Sequence, residues 1–225
     1  MACFKETPTQ NKQLTCANRL VVLTMPIPGL RLREKDLLDC PRYAPAPELV
    51  TELMQAAKAV DANLVKWSEK VPEVWHYFST AVGNETLMDV YPRSIDIYYD
   101  TVVASTWNAW RAYRLYVLTT VMKCASTLFA LDGDPDAERE DFEAIDTIQE
   151  LVNGICSSVP FHLGHTINGV DTARSLYPHA VGSRLEPGPI GALGVFLMKW
   201  PLSVASTMTC IPESQQRWIR EYQTL

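Results

Sequence analysis

The stretch from about Tyr98 to Phe129 constrains this chain more than any other feature. Val103, Trp107, Trp110, Val117, Leu118, Val121, Ala125 and Leu128 recur there at three- and four-residue steps. They therefore form one apolar stripe over roughly eight turns of 3.6 residues. So long a helix needs cover along its apolar face, and the flanking sequence offers more helices. Upstream, Leu49, Leu53, Ala56 or Ala57, Val60, Leu64 and Trp67 share a face, after Pro45 and Pro47 and before a stop at Pro72. Downstream, Gly133 makes a break, and Asp134 with Pro135 reads as an N-cap and first-turn pair. The helix that follows carries Phe142, Ile145, Ile148, Val152, Ile155 and Cys156 inward and is expected to end before Pro160.

Two more helices complete the reading. A hydrophobic one starts at about Ile190 and is kinked near Pro201. A short amphipathic one starts at Pro212, with Trp218, Ile219 and Tyr222 on its buried side. Strand signals are weak throughout. The expected fold is all-α: a multi-helix bundle with one long central helix and a Pro-kinked hydrophobic helix near the C-terminus. Residues 1–46 carry five prolines and no sustained period. They read as an irregular N-terminal arm, with one short element around Arg31–Leu38, ahead of a helical domain at 47–225. Residues 160–189, rich in Gly, Pro, His and Ser, read as a long loop.

Composition narrows the function classes. The chain has 225 residues, 47% of them hydrophobic and 20% charged, with a formal net charge of −6. Nucleic-acid binders neutralise phosphates with clustered basic residues, and here the 20 Lys and Arg are spread thinly. Direct nucleic-acid binding by this chain alone is not expected. The six cysteines, at 3, 16, 40, 124, 156 and 210, include no C-x-x-C pair. They read as reduced, structural thiols, with Cys124 and Cys156 inside helical apolar patterns. The apolar stretch from Leu20 to Leu30 is broken by Pro26 and Pro28, a poor signal peptide. The segment Ile190 to Ala205 is short for a membrane span and contains Lys199 and Pro201. A soluble chain with no membrane partner is expected.

Candidate chemistry is sparse. His162 and His165 form the only close histidine pair, which satisfies half of a four-ligand metal shell; Pro160 and Gly164 argue that the pair lies in a loop. His76 and His179 stand alone. There is no G-x-S-x-G, H-E-x-x-H or G-x-x-x-x-G-K-[ST] motif. Gly188, Gly191 and Gly194 open a hydrophobic helix with no strand before them, so close helix packing explains them better than a phosphate cradle. The acidic stretch Asp132 to Asp146 lacks the frame of a calcium loop and reads as a solvated helix start. No catalytic, cofactor or metal site is predicted. One polar feature stands out. On a helical wheel Arg114 lies about 20° from Trp107, inside the apolar stripe, with Arg111 near its edge. A buried guanidinium needs a carboxylate or several carbonyls, either as an internal bracket that fixes helix register or as an anion site between helices.

Four blocks carry a resemblance. The segment 95–121 holds Trp107, Asn108, Arg111 and Arg114 in a W-N-x-x-R-x-x-R order. ICSSVPFHLG at 155–164 contains Pro160, GVFLMKWPLSVAST at 194–207 contains Trp200 and Pro201, and QQRWIREYQTL with Trp218 closes the chain. In this order they resemble the C-terminal part of the fungal-specific transcription factor domain, over roughly residues 48–225. The resemblance implies an all-helical regulatory region, a nuclear location and control of transcription, often of metabolic or secondary-metabolite gene clusters. It marks the block residues as packing positions. Members that bind DNA carry a six-cysteine zinc cluster upstream, which this sequence lacks, so DNA binding does not carry over. The upstream half of the family's helical region is also not matched. The expected function is therefore a transcription-regulator-like protein without its own zinc cluster, acting by contact with a protein partner or with itself. Its expected place is the nucleus, or the cytoplasm if it is truncated and without a targeting signal. The alternative is a small helical enzyme or ligand-binding protein of a fungal biosynthetic cluster, with Arg111, Arg114, Tyr113, Trp110 and His162 lining a pocket for an acidic aromatic metabolite.

Overall fold

The computed structural model describes residues 8–39, 44–81, 92–164, 166–167, 170–171 and 190–223. Among them are seven α-helices: α1 (Pro8–Thr24), α2 (Ile27–Leu38), α3 (Pro47–Ser68), α4 (Thr101–Asp132), α5 (Pro135–Leu163), α6 (Ile190–Ser206) and α7 (Glu213–Gln223). Two short antiparallel hairpins accompany them: β1 (Phe78–Ala81) with β2 (Ser94–Ile97), and β3 (Thr166–Ile167) with β4 (Val170–Asp171). The fold is all-α.

Local chemistry sets the ends of the two longest helices. The Asp100 carboxylate accepts a 2.7 Å bond from the Val103 N–H, capping an orphan donor at the start of α4. Gly133, at φ 67°, closes α4 by donating its N–H to the Phe129 carbonyl at 2.8 Å. Asp134 then caps α5 through the Asp136 N–H at 2.9 Å, with Pro135 in the first turn. Helices α4 and α5 thus form a tight antiparallel pair, and α3 lies along another side of α4. Helix α6 packs on both α4 and α5, α2 packs on α4, α1 on α3, and α7 on α6. By length and composition α4 could cross a membrane, with mean hydropathy 1.3 over its most apolar window. Here it is the central packing element, with two arginines held by protein carboxylates.

Several expectations need correction. Residues 1–46, expected as an irregular arm, contain α1 and α2, and α2 takes in the short element expected around Arg31–Leu38. Pro26 and Pro28 mark the junction between them, and Pro28 sits in the first turn of α2, where a missing N–H costs nothing. Cys16, Leu20, Ile27 and Leu30 from this segment join the same core as the downstream helices. Helix α5 runs through Pro160 to Leu163, because Val159, Pro160, Phe161 and His162 are all buried and the proline falls in the last turn. His162 is therefore helical, with Gly164 at φ 68° closing the helix behind it. Phe142 is 60% exposed, and the small Ala137 and Ala144 make the inward contact instead. On α3, Leu49 is exposed while Val50 and Met54 are buried. Pro201 lies buried within α6 without ending it. His165, His179, Gly188, Cys3 and Cys40 lie outside the described residues.

Candidate functional site

The polar chemistry of the core gathers where α4, α5, α6 and β2 meet. Asp96 on β2 enters between Ile95 and Ile97, and all three are buried. Its register partner on β1 is Ser79, whose hydroxyl donates to Asp96 Oδ1 at 2.6 Å. Asp96 Oδ2 accepts from Arg111 Nη2 at 3.0 Å and from the Tyr98 hydroxyl at 3.1 Å. Arg111 Nη1 donates to Tyr98 Oη at 2.6 Å and to Asn108 Oδ1 at 3.0 Å. Its guanidinium carbon also lies 4.9 Å from the centre of the Tyr77 ring. Gly154 makes room for the arginine: a Cβ there would sit 2.7 Å from Arg111 Nε. Burial pushes the guanidinium toward neutrality, but Tyr98, Tyr77 and Asp96 outweigh it and hold Arg111 charged. The Tyr98 phenol is driven well above its usual range, chiefly by burial.

Asn108 carries the network onward. With Oδ1 committed to Arg111, its amide Nδ2 faces Ser158 Oγ at 2.8 Å, His162 Nε2 at 3.2 Å and Met198 Sδ at 3.2 Å. An amide donor pointing at Nε2 makes that nitrogen the acceptor and leaves the imidazole proton on Nδ1. Among the described residues His162 Nδ1 is buried without a hydrogen-bond partner. Burial first, then the nearby Arg111 charge, lowers the His162 pKa to about 4, so the ring is neutral at physiological pH. The carbonyl of the same residue marks a very close helix crossing: a Cβ on Gly194 of α6 would lie 1.8 Å from it. Close packing accounts for this glycine.

The other block residues hold the scaffold. Arg114 makes a bidentate pair with Asp61 of α3, Nε to Oδ1 at 2.7 Å and Nη2 to Oδ2 at 2.9 Å, and lies over the Trp110 ring. The wheel ranking of the two arginines is reversed: the Arg111 side chain is 2% exposed and that of Arg114 is 11%. Because α2, α3, α5 and α6 all pack on α4, a single stripe does not describe its burial. Trp107 packs edge-on against Trp67, Trp110 and Tyr77 and donates its indole N–H to the Trp75 carbonyl at 2.8 Å. Trp200 packs on Tyr113 with ring centres 5.1 Å apart, and Trp218 on Tyr222 at 4.3 Å. Pro160 is buried in the last turn of α5. Gln215, from the last block, is buried between Gln149 and Asn153, at 2.7 and 2.8 Å.

The structure thus joins Asn108 and Arg111 to His162, and separates them from Arg114, Tyr113, Trp200 and Trp218. A metabolite pocket at the two arginines loses its foothold, since each guanidinium is occupied by a protein carboxylate. A cleft of about 520 Å³ between α1 and α3 and a void of about 10 Å³ between α5 and α6 are both lined by other residues. Among the described residues no group of three or more His, Cys, Asp and Glu converges to hold a metal ion. Cys124 and Cys156 are free and buried, their thiols pushed up to about 12 chiefly by burial. The residues missed in the sequence were Asp96, Tyr98, Ser158 and Met198. Only Asp96 left a signal, as a carboxylate set between two isoleucines just before the long helix.

Comparison with known proteins gives one informative match. Over 196 residues, 84% of its length, the chain is 22% identical to the transcription factor dbaG of Emericella nidulans, and it covers 43% of that protein. The chain therefore spans less than half the length of this relative. No protein-family model matches the chain, and no solved structure matches it.

Proposed function

We propose that this chain is a transcription-regulator-like helical module that acts through protein contacts and performs no catalysis. The observation that carries the reading is the similarity to a transcription factor along 84% of the chain, which takes in most of the helical core. The polar junction supports it, because Arg111, Asp96, Tyr98 and Asn108 spend their hydrogen-bonding capacity on one another. A network so connected specifies how helices meet and leaves little over for a substrate. A contact face is also available: Leu193, Phe196 and Trp200 lie on one side of α6 at helical spacing, all exposed, Phe196 by 69%. In this reading the chain works in the nucleus. It associates with a protein partner or with a second copy of itself, and reaches DNA through a DNA-binding partner, since its net charge of −6 suits no direct phosphate contact. Control of a fungal metabolic or secondary-metabolite gene cluster is the task proposed for it.

The test is a fusion of the full chain to a foreign DNA-binding domain, placed upstream of a reporter gene. Reporter output should move away from that of the DNA-binding domain alone, and Phe196→Glu should return it to that baseline at equal protein level. A fusion that is folded, nuclear and silent would refute the proposal.

A further inference from the structure

We propose that the cleft between α1 and α3, where Arg19, Lys66 and Lys70 surround an apolar floor, binds a small organic carboxylate with an apolar, ring-bearing body. The cleft has a volume of about 520 Å³, within the range of small-molecule sites and too small to seat a folded partner. Its two walls follow from helical periodicity. Cys16, Arg19 and Leu23 recur along one side of α1; Asn63, Lys66 and Trp67 recur along the facing side of α3, and Lys70 and Val71 follow in the turn after that helix.

The charges are one-sided. Among the described residues no carboxylate lines the cleft, and none of its three cations has an ion-pair partner. Arg31, Arg111, Arg114 and Lys123, by contrast, are each matched to an acid. On a chain of net charge −6, three cations around one concavity concentrate a local positive potential there. Below them the surface is apolar, with Leu23, Trp67 and Val71 at its base. That combination selects an amphipathic acid, with its carboxylate at the rim beside Lys66 and Lys70 and its rings on the floor. A phosphorylated sugar would carry the charge and leave the floor uncovered.

The floor is also preformed. Trp67 donates its indole N–H to the Cys16 carbonyl at 3.0 Å, tying α3 to α1 across the base of the cleft. Its ring stands edge-on to Trp75 and Trp107, at centre distances of 6.3 and 5.6 Å. Little ordering is left to be done by a ligand that lands there. A bound acid would bridge α1 to α3 and tighten the attachment of the N-terminal helix pair to the core. This inference rests on the cleft alone and stands apart from the transcriptional reading.

The experiment uses the purified full chain and 2-naphthoate as the probe, followed by calorimetry and by the indole N–H resonance of Trp67. The neutral isostere 2-naphthalenemethanol and an acidic, leucine-bearing peptide serve as comparisons. Naphthoate should bind and shift the Trp67 signal, with the alcohol weaker by roughly tenfold. The exposed pair Lys66→Gln and Lys70→Gln should bring the acid down to the affinity of the alcohol. Val22→Trp, which fills the cleft from an exposed position, should abolish both. The proposal is overturned if naphthoate fails to bind, if acid and alcohol bind alike, or if the lysine pair makes no difference. Binding of the peptide alone would reassign the cleft to a protein partner and overturn it equally.

Discussion

Asn108 decides the state of its neighbours through one orientation. Arg111 takes its Oδ1, the amide nitrogen is thereby turned to His162 Nε2, and the imidazole is held neutral with its proton on an unpartnered Nδ1. Protonating that ring would set two donors face to face and place a second cation near Arg111. Burial first, and then the Arg111 charge, lower its pKa from 6.5 to about 4. The unfolded chain takes up a proton at His162 as the pH falls through about 6.5, whereas the folded chain refuses it until about 4. Unfolding is therefore favoured progressively across that window, by about 3 kcal/mol in total, and the effect is complete below it. His162→Gln keeps an acceptor for Asn108 and removes the titration. Urea unfolding of both proteins from pH 7 to pH 4 should show the native chain losing that much more stability than the variant. Parallel profiles for the two would show that His162 is not held neutral by its surroundings.

Between elements, the decisive contact is the crossing of α5 and α6, where backbone meets backbone. Gly194 leaves no space for a methyl group, since the added carbon would lie 1.8 Å from the His162 carbonyl oxygen. Gly194→Ala must push the helices apart and draw Met198 away from Asn108, an overpacking cost of about 1–3 kcal/mol or more. Gly29 of α2 has nothing within 4 Å of its missing Cβ, so Gly29→Ala should stabilise by roughly 0.5–1 kcal/mol. Thermal unfolding of the two variants should move in opposite directions. A neutral Gly194→Ala would mean that the two helices do not approach as described. This scale also shows what the sequence disclosed. The α4–α5 turn was legible because Gly133, Asp134 and Pro135 act locally, each through its own backbone or side chain. Helix α1 and the first turn of α2 were hidden because proline reads as a breaker by composition, although at the first turn of a helix it breaks nothing; only the later part of α2, around Arg31–Leu38, was legible. The buried junction was half visible: Arg111 and Asn108 stood in a recognisable block. Asp96 comes from a four-residue strand whose burial is set by α5 packing over it, a contact that no local pattern encodes.

For the whole molecule, the question is whether residues 1–46 are an appendage or part of one cooperative unit. The packing answers for the second. Leu20, Ile27 and Leu30 are buried in the core that continues to Ile219 of α7. At about 1.5–3 kcal/mol for each buried side chain, those three contribute an amount comparable to the 5–15 kcal/mol that holds a typical domain together. Polar ties add to this. Glu34 of α2, itself 1% exposed, accepts from Lys123 at 2.8 Å and from the Thr120 hydroxyl, both on α4. Removing the segment would take Glu34 away from Thr120 and Lys123 and leave Trp67 without the Cys16 carbonyl. A fragment of residues 47–225 should therefore keep much of its far-ultraviolet helical signal while losing the near-ultraviolet signal of its packed tryptophans, and it should bind a hydrophobic dye. The intact chain should unfold in a single transition seen alike by helicity and by tryptophan fluorescence. If the fragment instead melts cooperatively within a few degrees of the full chain, the N-terminal helices are dispensable, and the α1–α3 cleft would lose its claim to be a permanent feature of the fold.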